Sequence, residues 1–226
     1  MKKAIPSLLM AGALAVSAGV QAASVTDSFS IGPLTTDLTT ATATGNLNQF
    51  DSGLGTLTSI SLTLSGDSTS TTSIVNNSAQ SQRFAFDSTL DWEFEVLANS
   101  GNFVTGFTTD LAHTGGRVSL DSNATLDLGT TNDNGSITLT FSGADLAQFI
   151  GNGSVGIGCN TFTGSTFNGG GGNLVANQVT SANCSGDITY NYDGVVAPPS
   201  VPEPAAIWLI GAGLLGFVGF RAKKSS

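Results

Sequence analysis

Short runs in which apolar residues alternate with serine or threonine constrain the fold of this chain most strongly. The clearest run, Thr58 to Leu64, places Ile60, Leu62 and Leu64 on one side and hydroxyl-bearing residues on the other. Similar short runs lie at residues 84–86, 92–96, 117–120, 137–141 and 188–192. A period of two, with turn residues between the runs, indicates antiparallel strands with one buried and one solvated face. We therefore predict an all-β fold, an antiparallel β-sandwich of jelly-roll-like or immunoglobulin-like topology.

Three local patterns refine this prediction. The segment Asn132-Asp133-Asn134-Gly135 is typical of a tight turn and predicts a break before the strand at residue 137. Residues 144–150 carry apolar side chains on one side and predict a short helical connector. Residues 151–156 match G-x-G-x-x-G, but no helical pattern follows, so we expect a glycine-rich turn rather than a dinucleotide site.

The N-terminus has the pattern of a secretory signal peptide. Lys2 and Lys3 precede an apolar stretch over residues 5–20, and Val20-Gln21-Ala22 provides the small residues of a cleavage site. We predict a signal peptide over residues 1–22 with cleavage between Ala22 and Ala23. A retained N-terminal anchor is the alternative.

The C-terminus combines a proline-rich linker, an uncharged segment and a basic tail. The linker spans residues 197–204, and residues 205–220 contain no charge. At 1.5 Å per residue the uncharged segment gives a helix of roughly 24 Å, which can cross a bilayer when its flanking residues reach the interfaces. We predict one transmembrane helix with its basic tail over residues 205–226. Arg221, Lys223 and Lys224 favour the cytoplasmic side, so the preceding domain lies outside.

The linker and helix together resemble the PEP-CTERM sorting signal. The resemblance rests on Val201, Pro202, Glu203 and Pro204, followed by the glycine-containing helix and the basic residues. It implies that an exosortase, a membrane processing enzyme, is a partner and that the membrane anchor is transient. An ordinary single-pass anchor is the alternative.

The exported part is strongly acidic. Between residues 24 and 196, only Arg83 and Arg117 are basic, against 15 of the 16 acidic residues, so this stretch has a formal charge of −13. Nucleic acid is excluded as a partner, because phosphate binding needs clustered lysine and arginine. The composition predicts one acidic β-sandwich domain over residues 23–196.

Two longer motifs resemble the choice-of-anchor E domain. Residues 49–64 read QFDSGLGTLTSISLTL and residues 145–153 read DLAQFIGNG, while Tyr190-Asn191-Tyr192 is similar to the aromatic strand before the anchor. The resemblance implies an exported bacterial β-domain that is found with alternative surface anchors. It implies no catalytic residues.

Few residues are candidates for chemistry. Cys159 and Cys184 are predicted to form a disulfide that restrains the loop at residues 169–172, because both lie in an exported chain; a free thiol is the alternative. His113 is the one candidate base for a catalytic triad, and we expect it to be a loop residue. The alternating carboxylates at residues 91, 93 and 95 are expected on a solvated strand face rather than in a glycosidase or Ca²⁺ site.

The resemblance to PEP-CTERM and choice-of-anchor E proteins implies a structural protein of the cell surface or extracellular matrix in a bacterium of the Gram-negative type. By resemblance, it is associated with exopolysaccharide or biofilm. A carbohydrate- or partner-binding adhesin is the alternative, and a surface hydrolase is a more distant one. We expect no enzymatic activity and no cofactor.

Overall fold

Antiparallel strands dominate the structure, a computed structural model that describes residues 21–98 and 101–195. The predicted signal peptide, apart from its last two residues, lies outside the described residues, as do the proline-rich linker and the transmembrane helix predicted at residues 205–220. The strands of the described part are β1 (Ala22–Thr35), β2 (Thr44–Asn48), β3 (Gly55–Asn76), β4 (Gln82–Ala98), β5 (Gly101–His113), β6 (Val118–Leu120), β7 (Thr125–Phe141), β8 (Ser154–Gly169) and β9 (Leu174–Gly194).

The strand order is that of a jelly roll. One sheet, which we call sheet A, has the order β1-β9-β3-β7, and the second, sheet B, has the order β2-β8-β4-β5. Strand β6 pairs with the start of β4 on the edge that β5 occupies further along, so β5 and β6 fill one strand position. Eight strand positions, alternating between two four-stranded antiparallel sheets in this order, define the jelly roll. The structure therefore decides between the two predicted topologies.

The space between the sheets holds two apolar clusters separated by polar side chains. The larger cluster includes Ile60, Leu62, Phe94 and Ile188, and the smaller one is built on Ile74, Phe84 and Phe86. Between them lies a polar seam of buried hydroxyl residues, namely Ser68, Ser70, Thr72, Ser88 and Thr180. The seam is internally bonded: the Ser70 and Thr180 hydroxyls are 2.9 Å apart, and Ser88 donates to the Gln178 side chain at 3.0 Å. Because its hydroxyls are paired, the seam avoids the cost of buried unsatisfied groups.

Glycines in the middle of sheet A make room for aromatic rings of sheet B. Gly66 on β3 and Gly135 on β7 face each other. A Cβ atom at Gly66 would lie 2.5 Å from the ring of Trp92, and one at Gly135 would collide with Phe107. Trp92 is only 3% exposed, and its indole N–H donates to Thr109 at 2.9 Å. The two glycines therefore let the sheets approach each other closely around bulky side chains.

The predicted turn at residues 132–135 is wrong. Strand β7 runs through it, because Asn132 and Asn134 lie on the exposed face opposite Thr69 and Asp67 while Gly135 provides the space that Phe107 needs. The helical connector is confirmed as a 3-10 segment at Gly143–Phe149, and residues 151–153 form a loop before β8. The predicted strands are confirmed, although most extend well beyond the predicted runs.

Across the described residues, no helix is long and apolar enough to span a membrane.

Candidate functional site

The predicted disulfide is confirmed and links the two sheets. Cys159 lies on β8 and Cys184 on β9, their Cα atoms are 6.6 Å apart, and both side chains are fully buried. The bond therefore fixes sheet B to sheet A inside the larger apolar cluster, as well as closing the glycine-rich connection between β8 and β9. The free-thiol alternative does not apply to the bonded pair.

The motifs that resemble choice-of-anchor E proteins meet at one end of the domain. The Gln49 side chain donates to the carbonyl oxygen of Gln148 at 3.0 Å, and its oxygen accepts from the Gly153 N–H at 3.1 Å. The Phe50 N–H donates to Phe149 at 2.8 Å, and the carbonyl oxygen of Phe50 accepts from residue 151 at 3.1 Å. We call this contact between residues 49–50 and 148–153 the motif junction.

The third motif packs on the same residue. The ring of Phe50 lies 5.8 Å from that of Tyr190 and 5.1 Å from that of Tyr192. Tyr190 is 2% exposed, and its hydroxyl donates to the Asn48 carbonyl at 2.6 Å. Burial raises the pKa of Tyr190 above its ordinary value, and the nearby Asp27 carboxylate adds to the shift. The motif junction therefore closes the end of the core, which is a structural role for these residues.

A small cleft lies beside the motif junction. Its volume is about 200 Å³, and its lining includes Asp27, Asn48, Phe50 and Tyr190. Pockets that enclose drug-sized ligands usually measure about 300–1,000 Å³. The Asp27 carboxylate in this cleft already accepts the Asn48 N–H at 2.7 Å and the Ser28 N–H at 2.9 Å. The cleft is thus small, and its carboxylate is engaged in holding β1 to β2.

The three alternating carboxylates lie on the outer face of β4, on the side away from the buried Trp92. They are Asp91, Glu93 and Glu95. Each accepts a hydrogen bond from a neutral side chain: Thr108 at 2.7 Å, Asn160 at 3.4 Å and Thr40 at 3.0 Å, respectively. Within the described ranges, no group of three or more histidine, cysteine or acidic side chains is arranged to hold a metal ion. These contacts are those of an outer strand face.

His113 and the aromatic residues also have defined positions. His113 is the last residue of β5, exposed, and opposite Asp87 in the sheet register rather than in a loop. Trp92 is buried, so it presents no ring for stacking against a sugar. Tyr192 is partly buried against Phe50.

The outer face of sheet A carries a regular array of hydroxyl groups. The register aligns side chains in rows that cross all four strands, in the order β1, β9, β3, β7. The three complete rows are Thr26, Thr189, Ser61 and Thr140; then Ser28, Asp187, Thr63 and Thr138; then Ser30, Ser185, Ser65 and Ser136. We call these twelve residues the hydroxyl face. Sequence reasoning missed it because it depends on the register between strands distant in the chain.

The geometry of the hydroxyl face follows from the sheet. Neighbouring strands in a sheet are about 4.8 Å apart, and alternate residues repeat about every 6.8 Å along a strand. The hydroxyls of Thr63 and Thr138 are 3.0 Å apart, which shows that neighbouring strands bring these groups into contact. Asp187 is the one charged residue among the twelve. The domain is strongly acidic, but this face is nearly neutral.

The predicted processing sites fall at the edge of the described part. Ala22 and Ala23 begin β1, where they pair with Asp193 and Tyr192 on β9. The sorting residues Val201 to Pro204 and the basic residues of the tail lie outside the described residues, so their roles stay predictions from the sequence.

Comparison with known proteins identifies the tail. Residues 200–224 match the PEP-CTERM protein-sorting motif. No curated protein matches the chain.

Solved structures give weak similarities. A chain of the T13 IBDV viral particle is 13% identical over 86% of this chain and 44% of its own length, with a TM-score of 0.22. The VP2 subviral particle of infectious bursal disease virus is 13% identical over 86% of this chain and 48% of its own, with a TM-score of 0.15. The Salmonella type III secretion secretin InvG is 6% identical over 68% and 69%, with a TM-score of 0.13. This chain spans about half the length of the viral chains. Scores this low support no conclusion, and the jelly-roll assignment rests on the strand order.

The fold and the matched segment define a class of protein. The described domain is an all-β jelly roll with a disulfide between its sheets. The tail carries a PEP-CTERM sorting motif, which supports an exosortase-substrate signal. The sorting motif supports the conclusion that the protein is exported, anchored transiently in the membrane and then delivered to the surface.

Proposed function

We propose that this protein is a structural component of the cell surface or extracellular matrix, where its hydroxyl face binds a neutral exopolysaccharide. The observation that carries the proposal is the set of three rows across sheet A, in which eleven of the twelve side chains are hydroxyls. Its biological setting is a bacterium of the Gram-negative type that processes the PEP-CTERM tail with an exosortase.

The chemistry of the face favours a neutral polymer of sugars. A serine or threonine hydroxyl both donates and accepts hydrogen bonds, as sugar hydroxyls do. The domain has a formal charge of −13 over residues 24–196, which repels anionic polymers. A hydroxyl-rich, uncharged chain is the polymer that such a face can contact without an electrostatic penalty.

The number of rows matters because each contact is weak. Hydrogen bonds that replace bonds to water contribute only about 0.5–1.5 kcal/mol each. A single sugar contacting a few hydroxyls therefore binds weakly, whereas a polymer that spans several rows sums many contacts. We expect binding to the polymer and little binding to its monosaccharides.

The same proposal assigns the domain to the choice-of-anchor E type, with a non-enzymatic role. The motif junction supports this assignment, since the residues that resemble the family motifs contact one another. The carboxylates at residues 91, 93 and 95 do not favour a hydrolase, because each is bonded to a neutral neighbour on an outer face.

A sedimentation assay tests the proposal. Residues 23–196, which include all of the compact unit Ala22–Gly194 except its first residue, are mixed with insoluble exopolysaccharide isolated from the producing cells. We expect Thr138→Glu to weaken binding about tenfold, because it removes a hydroxyl and places a charge beside Thr63 in the second row. The matched control, Asn46→Glu on the exposed face of β2 in sheet B, should bind like the wild type.

Two results would contradict the proposal. Equal loss in both variants would show that general acidity, rather than the hydroxyl face, controls binding. Loss of binding in a chelator would instead favour a Ca²⁺-dependent adhesin, because hydroxyl contacts to a neutral polymer need no metal.

A further inference from the structure

Along half of one side of the sandwich, neither β8 nor β9 has a neighbouring strand on its outer edge. Strand β1 ends at Thr35, opposite Ser181, and β2 pairs with β8 only as far as Gly158. Beyond these points β9 keeps only β3 as a neighbour, and β8 keeps only β4. We call residues 162–169 of β8 together with residues 174–180 of β9 the open side.

Backbone groups of β8 point out of the sheet at the open side. The N–H groups of Cys159 and Thr161 point away from β4 and donate to the carbonyls of Ala43 and Leu38 at 2.8 and 3.2 Å. The N–H and C=O groups of every second residue in a strand point to the same side. Ser165 and Phe167 therefore direct these groups away from β4, as Cys159 and Thr161 do. No strand of the described residues pairs with them there. Such unpaired backbone is a template for another strand.

The usual protection of an edge is missing at the open side. Natural edge strands carry lysine, other charges or proline that prevent pairing. From Leu146 to Gly186, the longest uncharged stretch of the exported domain, there is neither a charged residue nor a proline. The open side also exposes large apolar side chains, at 54% for Phe162 and 73% for Val179.

We propose that the open side binds a second copy of this chain, with the β8 edges of the two copies pairing antiparallel about a two-fold axis. In this arrangement Ser165 of one copy exchanges hydrogen bonds with Phe167 of the other, and sheet B becomes continuous across the dimer. A two-fold contact is self-complementary, so it needs no strand other than β8 itself.

The charges at the two ends of the edge fit this pairing. Near its start, the Thr163 N–H donates to the Asp37 carboxylate at 2.8 Å. Near its end, Arg117 donates to the Asn168 side chain at 3.0 Å. Antiparallel pairing brings the start of one edge to the end of the other, so Asp37 of each copy faces Arg117 of the second. Elsewhere the domain's acidity makes copies repel, which directs association to this side.

Cysteine cross-linking in the full chain tests the proposal. Thr166 is exposed and, in the proposed register, lies opposite Thr166 of the second copy, where Cβ atoms are about 4.5–5.5 Å apart. We expect Thr166→Cys, exported with its own signals, to give a disulfide-linked dimer on a non-reducing gel. Thr138→Cys, which is also exposed but lies on β7, is the matched control and should stay monomeric. The native cysteines do not interfere, because they are bonded and fully buried.

Second variants separate pairing from chance collision. Ser165→Pro removes one N–H of the open edge, and Arg117→Glu removes the end charge; each should reduce the Thr166→Cys dimer at least fivefold. Arg117 is exposed, so this change tests the pairing even where the proline variant fails to fold. A dimer of equal yield from Thr138→Cys would overturn the proposal. So would a Thr166→Cys protein that stays monomeric or cross-links to a product of another mass, which would identify a different partner.

Discussion

Replacing Gly66 by alanine tests how closely the two sheets pack. The added Cβ would lie 2.5–2.7 Å from three carbon atoms of the Trp92 ring, whereas carbon atoms in favourable contact are about 3.5–4.0 Å apart. The ring has little freedom to retreat, because its N–H is bonded to Thr109 and Phe94 stacks on it at 6.4 Å. Overpacking of this kind costs about 1–3 kcal/mol, and we expect about 2 kcal/mol of lost stability.

Urea unfolding of residues 23–196, followed by far-ultraviolet circular dichroism, measures this loss. The control is Gly172→Ala, since a Cβ at Gly172 meets no atom within 4 Å and should leave stability unchanged or slightly higher. The double variant Gly66→Ala/Trp92→Leu should show a coupling of at least about 1 kcal/mol, because the smaller side chain relieves the clash. If Gly66→Ala is as stable as the wild type, the sheets are not held at the distance inferred from the glycines.

Two further predictions concern the disulfide and Tyr190. Replacing Cys159 and Cys184 by alanine should lower the free energy of unfolding by about 3–4 kcal/mol, from the entropy of a loop with a sequence separation of 25; a loss below 1 kcal/mol in urea would contradict this. Because the pKa of Tyr190 is higher in the folded protein than in the unfolded chain, the folded state keeps the phenol proton more tightly. The stability of the fold should therefore be unaffected by this group below about pH 10 and should fall as the pH rises further. Tyr190→Phe should remove that pH dependence, which unfolding measured from pH 8 to 11 can check.

The alternation of apolar and hydroxyl residues was sufficient to predict the class of fold. Ile60, Leu62 and Leu64 are fully buried, as the pattern of β3 required. The cysteine pair was also predictable, because an exported chain with two cysteines has few alternatives. The choice between jelly roll and immunoglobulin topology was not, since the order of strands depends on contacts between segments far apart in the sequence.

The full length of the strands could not be predicted from the sequence, because some of the residues that face inward are polar. After Leu64, the buried positions of β3 include Ser68, Ser70 and Thr72, so the apolar pattern stops while the strand continues to Asn76. Pairing within the polar seam satisfies their hydroxyls, and a sequence pattern does not show such pairing. The wrong prediction of a turn at Gly135 has a similar origin. The sequence alone does not distinguish a glycine that makes room for Phe107 from a glycine that forms a turn.

The pairing of Ala22 with Asp193 means that the chain enters and leaves the domain at the same corner. If the signal peptide is cut between Ala22 and Ala23, the new N-terminal residue is still paired with Tyr192 on β9. A protease that cuts between Ala22 and Ala23 needs to open only the first pairs of β1 with β9, and the remaining pairs, as far as Thr35, can stay formed.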